Sequence, residues 1–153
     1  MGKFDDRLNE LGIELPDAAA PAANYVPFVR DGDTLYVSGQ VPRDENGMIV
    51  GKLGDTYDVE QGAAAARVCG LYLLAQVREA CGGTLDGLDQ VVKLTGFVNS
   101  TGDFGQQPAV INGCSDLMVE VLGDAGRHAR AAVSAASLPF GVAVEIEGVF
   151  RLK

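Results

Sequence analysis

Apolar and polar positions along this chain follow two periods, and the switches between them outline the elements. Phe4, Leu8 and Leu11 recur at helical spacing within FDDRLNELG, predicting a short amphipathic helix from Phe4 that ends at Gly12. LPDAAAPAAN then reads as an extended connector. From Tyr25 the alternation shortens to two residues. YVPFVR and TLYVSGQV flank Asp31-Gly32-Asp33, which predicts a hairpin, and Asp44 to Gly47 (DENG) is a second turn signal. A long helix is predicted from Asp58, a good N-cap, to Cys81, with Gly82-Gly83 as its stop. Its apolar face is Val59, Ala63, Ala66, Gly70, Leu73 and Val77. Gly62 and Gly70 inside it cost about 1 kcal/mol each against alanine, which suggests close approach to a sheet. Leu88 to Asn99 (LDQVVKLTGFVN) is strand-like, and Ser100 to Gly105 is a loop. A second long helix is predicted from about Pro108 to Leu122, carrying Val110, Ile111, Leu117, Met118 and Val121, with Gly123 ending it. The last quarter, RAAVSAASLPFGVAVEIE from Arg130 to Glu147, holds two alternating runs joined by Leu138 to Gly141, and predicts a closing hairpin.

Strand runs grouped around two long helices predict an α+β fold with both helices on one face of the sheet. The expected organisation is one domain over 1–153, with an N-terminal helix and connector over 1–24 and a core over 25–153. The second sheet face, expected to carry Ala132, Ala136, Ala143 and Val149, is not plainly solvent-like, which implies a partner subunit.

Charge narrows the partners. Twelve Lys and Arg against twenty-one Asp and Glu give a net charge of -9, which argues against a phosphate-backbone binder. Cys69, Cys81 and Cys114 form no CxxC pair and have one histidine, His128, for company, too little for a zinc site. Lying in apolar helical segments, they are expected to be buried, inert thiols. No run reaches the length of a membrane span, and no metal or phosphate-loop motif occurs. A cytoplasmic protein is the expectation.

The candidate chemistry lies in the last quarter. Arg130 opens a strand of small residues, and its planar fork of donors suits bidentate recognition of a carboxylate. Glu145 and Glu147 alternate with Val144 and Ile146, so both acids point to one sheet face. A hairpin turning at Leu138 to Gly141 sets Ser137 opposite Val142 and Ser134 opposite Glu145. Arg130 would then lie roughly 13 Å along the sheet from Glu145, so the two would meet across a subunit boundary or through substrate and water. Ser38-Gly39-Gln40 lacks a nucleophile elbow, and Asn112 to Asp116 reads as helix-start chemistry.

Three segments in order resemble the Rid/YjgF family of enamine and imine deaminases: Tyr25 ahead of TLYVSGQVP, VVKLTGFVNSTGDF, and RAAVSAASLPFGVAVEIE. The resemblance spans about Tyr25 to Phe150. It implies a chorismate-mutase-like fold, a mixed sheet with two helices packed on one face, assembled as a trimeric barrel with sites in clefts between subunits. It also implies hydrolysis of reactive enamines or imines to 2-keto acids and ammonia, without a cofactor or metal. By that resemblance Arg130 binds the substrate carboxylate and Glu145 positions or activates water. Tyr25, Ser38 and Gly39 line the pocket. The implied partners are a small carboxylate substrate and further copies of the chain, with neither nucleic acid nor membrane. Ala132 stands where family deaminases commonly carry cysteine, and the second long helix lacks the usual aromatic residues, as in a divergent subgroup. The alternative is a non-catalytic protein of the same fold that senses a small carboxylate.

Overall fold

The structure is a computed structural model and describes residues 2–20 and 24–153. Helix α1 spans Lys3–Glu10, with Leu8 buried and Phe4 and Leu11 packed on the core, and Gly12 turns the chain away with φ 68°. The extended connector follows, except that its residues 21–23 lie outside the described residues. Strands β1 (Phe28–Asp31) and β2 (Thr34–Gln40) form the expected hairpin, closing at the pair Asp31 and Thr34 with Gly32 at φ 62°. The short strands β3 (Arg43–Asp44) and β4 (Gly47–Met48) pair around the second predicted turn, where Asp44 Oδ1 accepts from the Asn46 amide at 2.9 Å. Helix α2 (Val59–Ala80) begins in a capping box: Asp58 Oδ1 accepts from Gln61 N, and Gln61 Oε1 accepts from Asp58 N. Strand β5 (Leu88–Asn99), helix α3 (Gln107–Leu122), strand β6 (Ala129–Ala135) and strand β7 (Val144–Leu152) complete the chain.

The five long strands form one mixed sheet in the order β1-β2-β7-β5-β6, with α2 and α3 packed together on one face. The α+β expectation with both helices on one face is met.

The closing hairpin is not formed. β6 and β7 run antiparallel, but β5 lies between them, parallel to β6 and antiparallel to β7. The expected facing of Ser134 with Glu145, and of Ser137 with Val142, is therefore wrong. Ser134 pairs with Val98, which pairs with Val144, while Val133 pairs with Phe97, which pairs with Glu145. Alternation reports which face a residue takes, not which strand is its neighbour. The linker has to cross two strand spacings, roughly 10 Å, which its length easily allows. The crossing is pinned by Asn99, 6% exposed, whose amide donates to the Val142 carbonyl at 3.1 Å and whose Oδ1 accepts from Lys52 Nζ at 3.0 Å. Lys52 also donates to the Ala136 carbonyl, tying both ends of the crossing to one side chain.

The core lies between helices and sheet. Leu35, Leu94, Ile146 and Phe150 from the sheet meet Leu73, Leu74, Ile111 and Leu117 from the helices, all fully buried. Burying each such side chain contributes about 1.5–3 kcal/mol. The close approach at Gly70 is to the second helix rather than to the sheet, and at Gly62 it is to Leu53 and to Val110 of that helix. A Cβ at Gly70 would lie 2.9 Å from Leu117 Cδ2 and 3.0 Å from Cys114 Sγ. Gly113 of α3 is tighter still, since a Cβ there would fall 1.9 Å from the Ala63 carbonyl oxygen. This crossing seats α3 against β5 and β6, with Asn112 and Ser115 turned toward the sheet edge.

The other sheet face is open, but not wholly as expected. Ala132 packs against the core on the helix side, and Ala143 is buried beyond the start of β7. Alternation keeps Val149 on that face as expected and adds Val29, Tyr36, Phe97 and Val133, with Glu145 and Glu147 among them. Val29, Tyr36 and Val133 are about half exposed, at 53%, 52% and 45%.

Candidate functional site

Two corners carry the predicted site residues. The first is built on the end of β2. Ser38 bonds twice to the preceding segment: its hydroxyl donates to the Val26 carbonyl at 2.9 Å, and its amide donates to the Pro27 carbonyl at 2.9 Å. These bonds hold the chain carrying Tyr25 beside Gly39. Tyr25, Gly39, Gln40, Tyr72, Gln76 and Phe140 line part of one cavity of about 330 Å³. Ser38 thus acts on the backbone, and Tyr25 and Gly39 meet in one cavity.

Glu145 of β7 lies against Gly39. A Cβ at Gly39 would sit 2.5 Å from Glu145 Oε2, so any larger residue would displace the carboxylate. Burial pushes the Glu145 carboxyl above its ordinary value of 4.5, and repulsion from Glu147 adds to the rise. A half-buried carboxylate that holds its proton more tightly than usual is suited to accepting one from water.

The second corner is built on β6 and α3. Arg130 Nη1 donates to Asn112 Oδ1 at 2.8 Å and to Ser115 Oγ at 3.2 Å. Ser115 Oγ is also 2.8 Å from His128 Nε2, and His128 Nδ1 is 2.6 Å from the Gly126 carbonyl. Because a carbonyl only accepts, Nδ1 carries a proton, which leaves Nε2 of the neutral ring to accept from the serine hydroxyl. Asn112, Ser115, Arg127, His128 and Arg130 line a shallow cavity of about 270 Å³, together with Asp116 and Val119.

These corners occupy opposite faces of the sheet. Arg130 pairs with Leu94, which is fully buried under the helices, whereas Glu145 pairs with Phe97, three residues along β5 and on the open face. The register that set Arg130 roughly 13 Å along the sheet from Glu145 is therefore not met, and the two side chains do not share a face of one protomer. Tyr25 and Gly39 share one cavity, Ser38 braces the backbone beside it, Glu145 reaches Gly39 without lining that cavity, and Arg130 stands apart.

Sequence reasoning missed the partners of Arg130. Asn112 to Asp116 lie inside α3, not at its start. The available signal was a pair of spacings: Asn112 and Ser115 fall three apart on one helix face, and His128, just ahead of β6, falls two before Arg130. The cysteines match their expectation in part. Cys69 and Cys114 are buried and Cys81 is partly so; burial raises all three thiols, that of Cys114 to about 12 against the opposing pull of Arg130. Among the described residues no helix is long and apolar enough to cross a membrane.

A mixed five-stranded sheet backed by two helices, with an arginine on its edge strand and a glutamate on its open face, defines a chorismate-mutase-like class of α+β protein. The model of the family described as YjgF/chorismate mutase-like, which also carries an endoribonuclease label, matches residues 5–146. This chain belongs to the Rid/YjgF family. It is 49% identical to Protein TCP17 of Trypanosoma cruzi, covering 99% of this chain and 95% of that one. It is 30% identical to a 2-iminobutanoate/2-iminopropanoate deaminase of Dermatophagoides farinae, covering 90% of this chain and 92% of that one. Among solved structures, the Agrobacterium tumefaciens protein Atu1372, of unknown function, superposes with a TM-score of 0.91 at 46% identity, covering 98% of this chain and 92% of that one.

Proposed function

We propose that this protein is a cytoplasmic homotrimeric deaminase that hydrolyses imines of small 2-amino acids to 2-keto acids and ammonia. The observation that carries the proposal is the half-buried carboxyl of Glu145, held against the Gly39 backbone with its proton affinity raised. The imine carbon is already electrophilic, so chemistry needs a positioned substrate and one group to take a proton from water. In the proposed cycle Glu145 accepts a proton from water as the oxygen adds to the C=N carbon. The imine nitrogen gains a proton from solvent water, giving a carbinolamine. Glu145 returns its proton to the amine nitrogen, the C–N bond breaks with its electron pair leaving on ammonia, and the hydroxyl proton passes to water as the carbonyl of the 2-keto acid forms. Water and substrate supply every atom, and no electron is gained or lost overall.

Arg130 is assigned the substrate carboxylate. Since Arg130 and Glu145 lie on opposite faces of one sheet, a working site combines Arg130 of one protomer with Glu145, Tyr25 and Gly39 of another. The half-exposed apolar residues of the open face are what such an assembly would cover. The 30% identical relative named as a 2-iminobutanoate/2-iminopropanoate deaminase supports the same chemistry.

The test is ammonia and keto-acid release from freshly generated 2-iminopropanoate and 2-iminobutanoate, with Arg130→Ala beside the wild type. The expected loss in kcat/KM is about a hundredfold or more. Full activity in a folded Arg130→Ala trimer would overturn the assignment. A second reading, a sensor of small carboxylates, is favoured by the arginine corner being complete within one protomer. It predicts saturable binding of a 2-keto acid with no turnover of any imine.

A further inference from the structure

We propose that Asn112, Ser115 and His128 are positioning residues that set the donor edge Arg130 presents to a carboxylate. The proposal rests on the assignment of that carboxylate to Arg130. A guanidinium has two kinds of two-donor edge: the end-on pair Nη1 and Nη2, and the side-on pair Nε and Nη2. Here both protein acceptors engage Nη1. Among the described residues Nε and Nη2 have no protein partner, so the side-on edge is the one left for a bidentate ligand.

Each acceptor has a distinct part. Asn112 and Ser115 lie three apart on α3, so a single helix face fixes two points of approach to Nη1. Asn112 Oδ1 can only accept. Ser115 is ambivalent, because a hydroxyl can donate or accept. His128 removes that ambivalence. With its Nδ1–H donating to the Gly126 carbonyl, its Nε2 accepts the hydrogen bond of the serine hydroxyl, which turns the lone pairs of Ser115 Oγ toward Arg130. The bonds run in one direction, from Arg130 to Ser115 to His128 to the carbonyl. Neither Ser115 nor His128 is assigned contact with the reacting atoms.

A residue that only orients the carboxylate grip alters ground-state and transition-state binding alike, so KM should move and kcat should not. Ser115→Ala and Asn112→Ala should each raise KM for 2-iminobutanoate about tenfold with kcat within about twofold, and Ser115→Thr, which keeps the hydroxyl, should restore it. A parallel arm needs no turnover. Binding of 2-ketobutanoate, followed by titration calorimetry, should weaken about tenfold in the same two alanine variants. If the wild type turns over no imine but binds the keto acid in this Ser115-dependent way, the deaminase reading fails and the positioning proposal stands. Unchanged KM and unchanged keto-acid affinity in both folded variants would overturn it, as would failure of the wild type to bind the keto acid. His128 is the sole histidine of the chain, so its ring nitrogens report without ambiguity in a nitrogen NMR spectrum. The Nδ1-protonated tautomer is expected, and the Nε2-protonated one would overturn the proposal even if a variant failed to fold.

Discussion

On the helix-covered face of the sheet, Leu35, Leu94, Ile146 and Phe150 are fully buried, whereas on the open face Val29, Tyr36 and Val133 stay about half exposed. The covered face is closed by backbone approaches as tight as Gly113 against Ala63, which leave no room even for a methyl group. The open face has no such closure, yet it carries the carboxylate with the raised proton affinity. Arg130 belongs to neither extreme. It lies on the covered side, but on the edge strand, where polar atoms of α3 replace the core. The contrast separates stability from chemistry: the covered face holds the protomer together, while the open face is assigned to the partner and, with the arginine at the covered face's edge, to substrate.

The largest expected effect breaks the chemistry without touching the core. Glu145→Gln keeps the size of the side chain beside Gly39 and removes its ability to accept a proton. If Glu145 is the water-activating base, kcat should fall about 10²- to 10⁴-fold while the far-ultraviolet circular dichroism stays unchanged. Retained kcat would detach Glu145 from the chemistry and leave its raised carboxyl a consequence of packing alone.

Next comes the open face as a surface for assembly. Tyr36→Asp places a charge on it, beside the central strand β7, at a position half exposed in the protomer. Burying that charge unpaired in an interface would cost several kcal/mol, while in a free protomer it stays solvated. If the open face is the surface of the proposed trimer, light scattering should show that assembly giving way to monomer with helical content retained. Activity should fall with it if the site needs two protomers.

Gly113→Ala tests the covered face. The added methyl would meet the Ala63 carbonyl, so α3 must shift away from α2. Against a gain of about 1 kcal/mol in helix propensity, overpacking of this kind costs about 1–3 kcal/mol, more when backbone rather than side chain must yield. A lowered urea midpoint is expected. The displaced α3 should also weaken keto-acid binding through Asn112 and Ser115.

How much of this was legible in the sequence follows from what each signal encodes. Asp58, Gly12 and Gly123 marked helix ends correctly because caps are local chemistry. β5 runs from Leu88 to Asn99 as its apolar run predicts. The order of the last three strands was not legible, because β6 and β7 have the same alternation whether adjacent or separated. The residue that fixes the crossing, Asn99, is distant in sequence from Val142 and Lys52. For the site, the pairing of Gly39 with Glu145 followed only from resemblance, since β2 and β7 are far apart in the chain. The cluster of Asn112, Ser115 and His128 around Arg130 became visible only once the glycine crossing placed α3 over β6.

The smallest expected effect gives the open face a thermodynamic signature. Burial first, and Glu147 second, raise the Glu145 carboxyl above its ordinary 4.5 in the folded protein. The folded state therefore holds this proton more tightly than the unfolded chain does. That preference contributes stability below the unfolded value and is lost as pH rises through the raised folded one. Glu145→Gln cannot ionise, so it escapes the loss. The variant should melt above the wild type near neutral pH, and the difference should close as pH falls below the unfolded value of 4.5. The group is partly solvated and screened, so an upward shift of about 1–2 °C is expected rather than a large one. A variant that melts lower at neutral pH would mean that the ionised carboxylate is stabilised by a partner, the opposite of a poised base. With the kcat measurement this separates two meanings of one carboxyl. A gain in Tm with a loss in kcat marks a group whose burial costs stability in return for reactivity, and a gain in Tm alone marks a strained packing site.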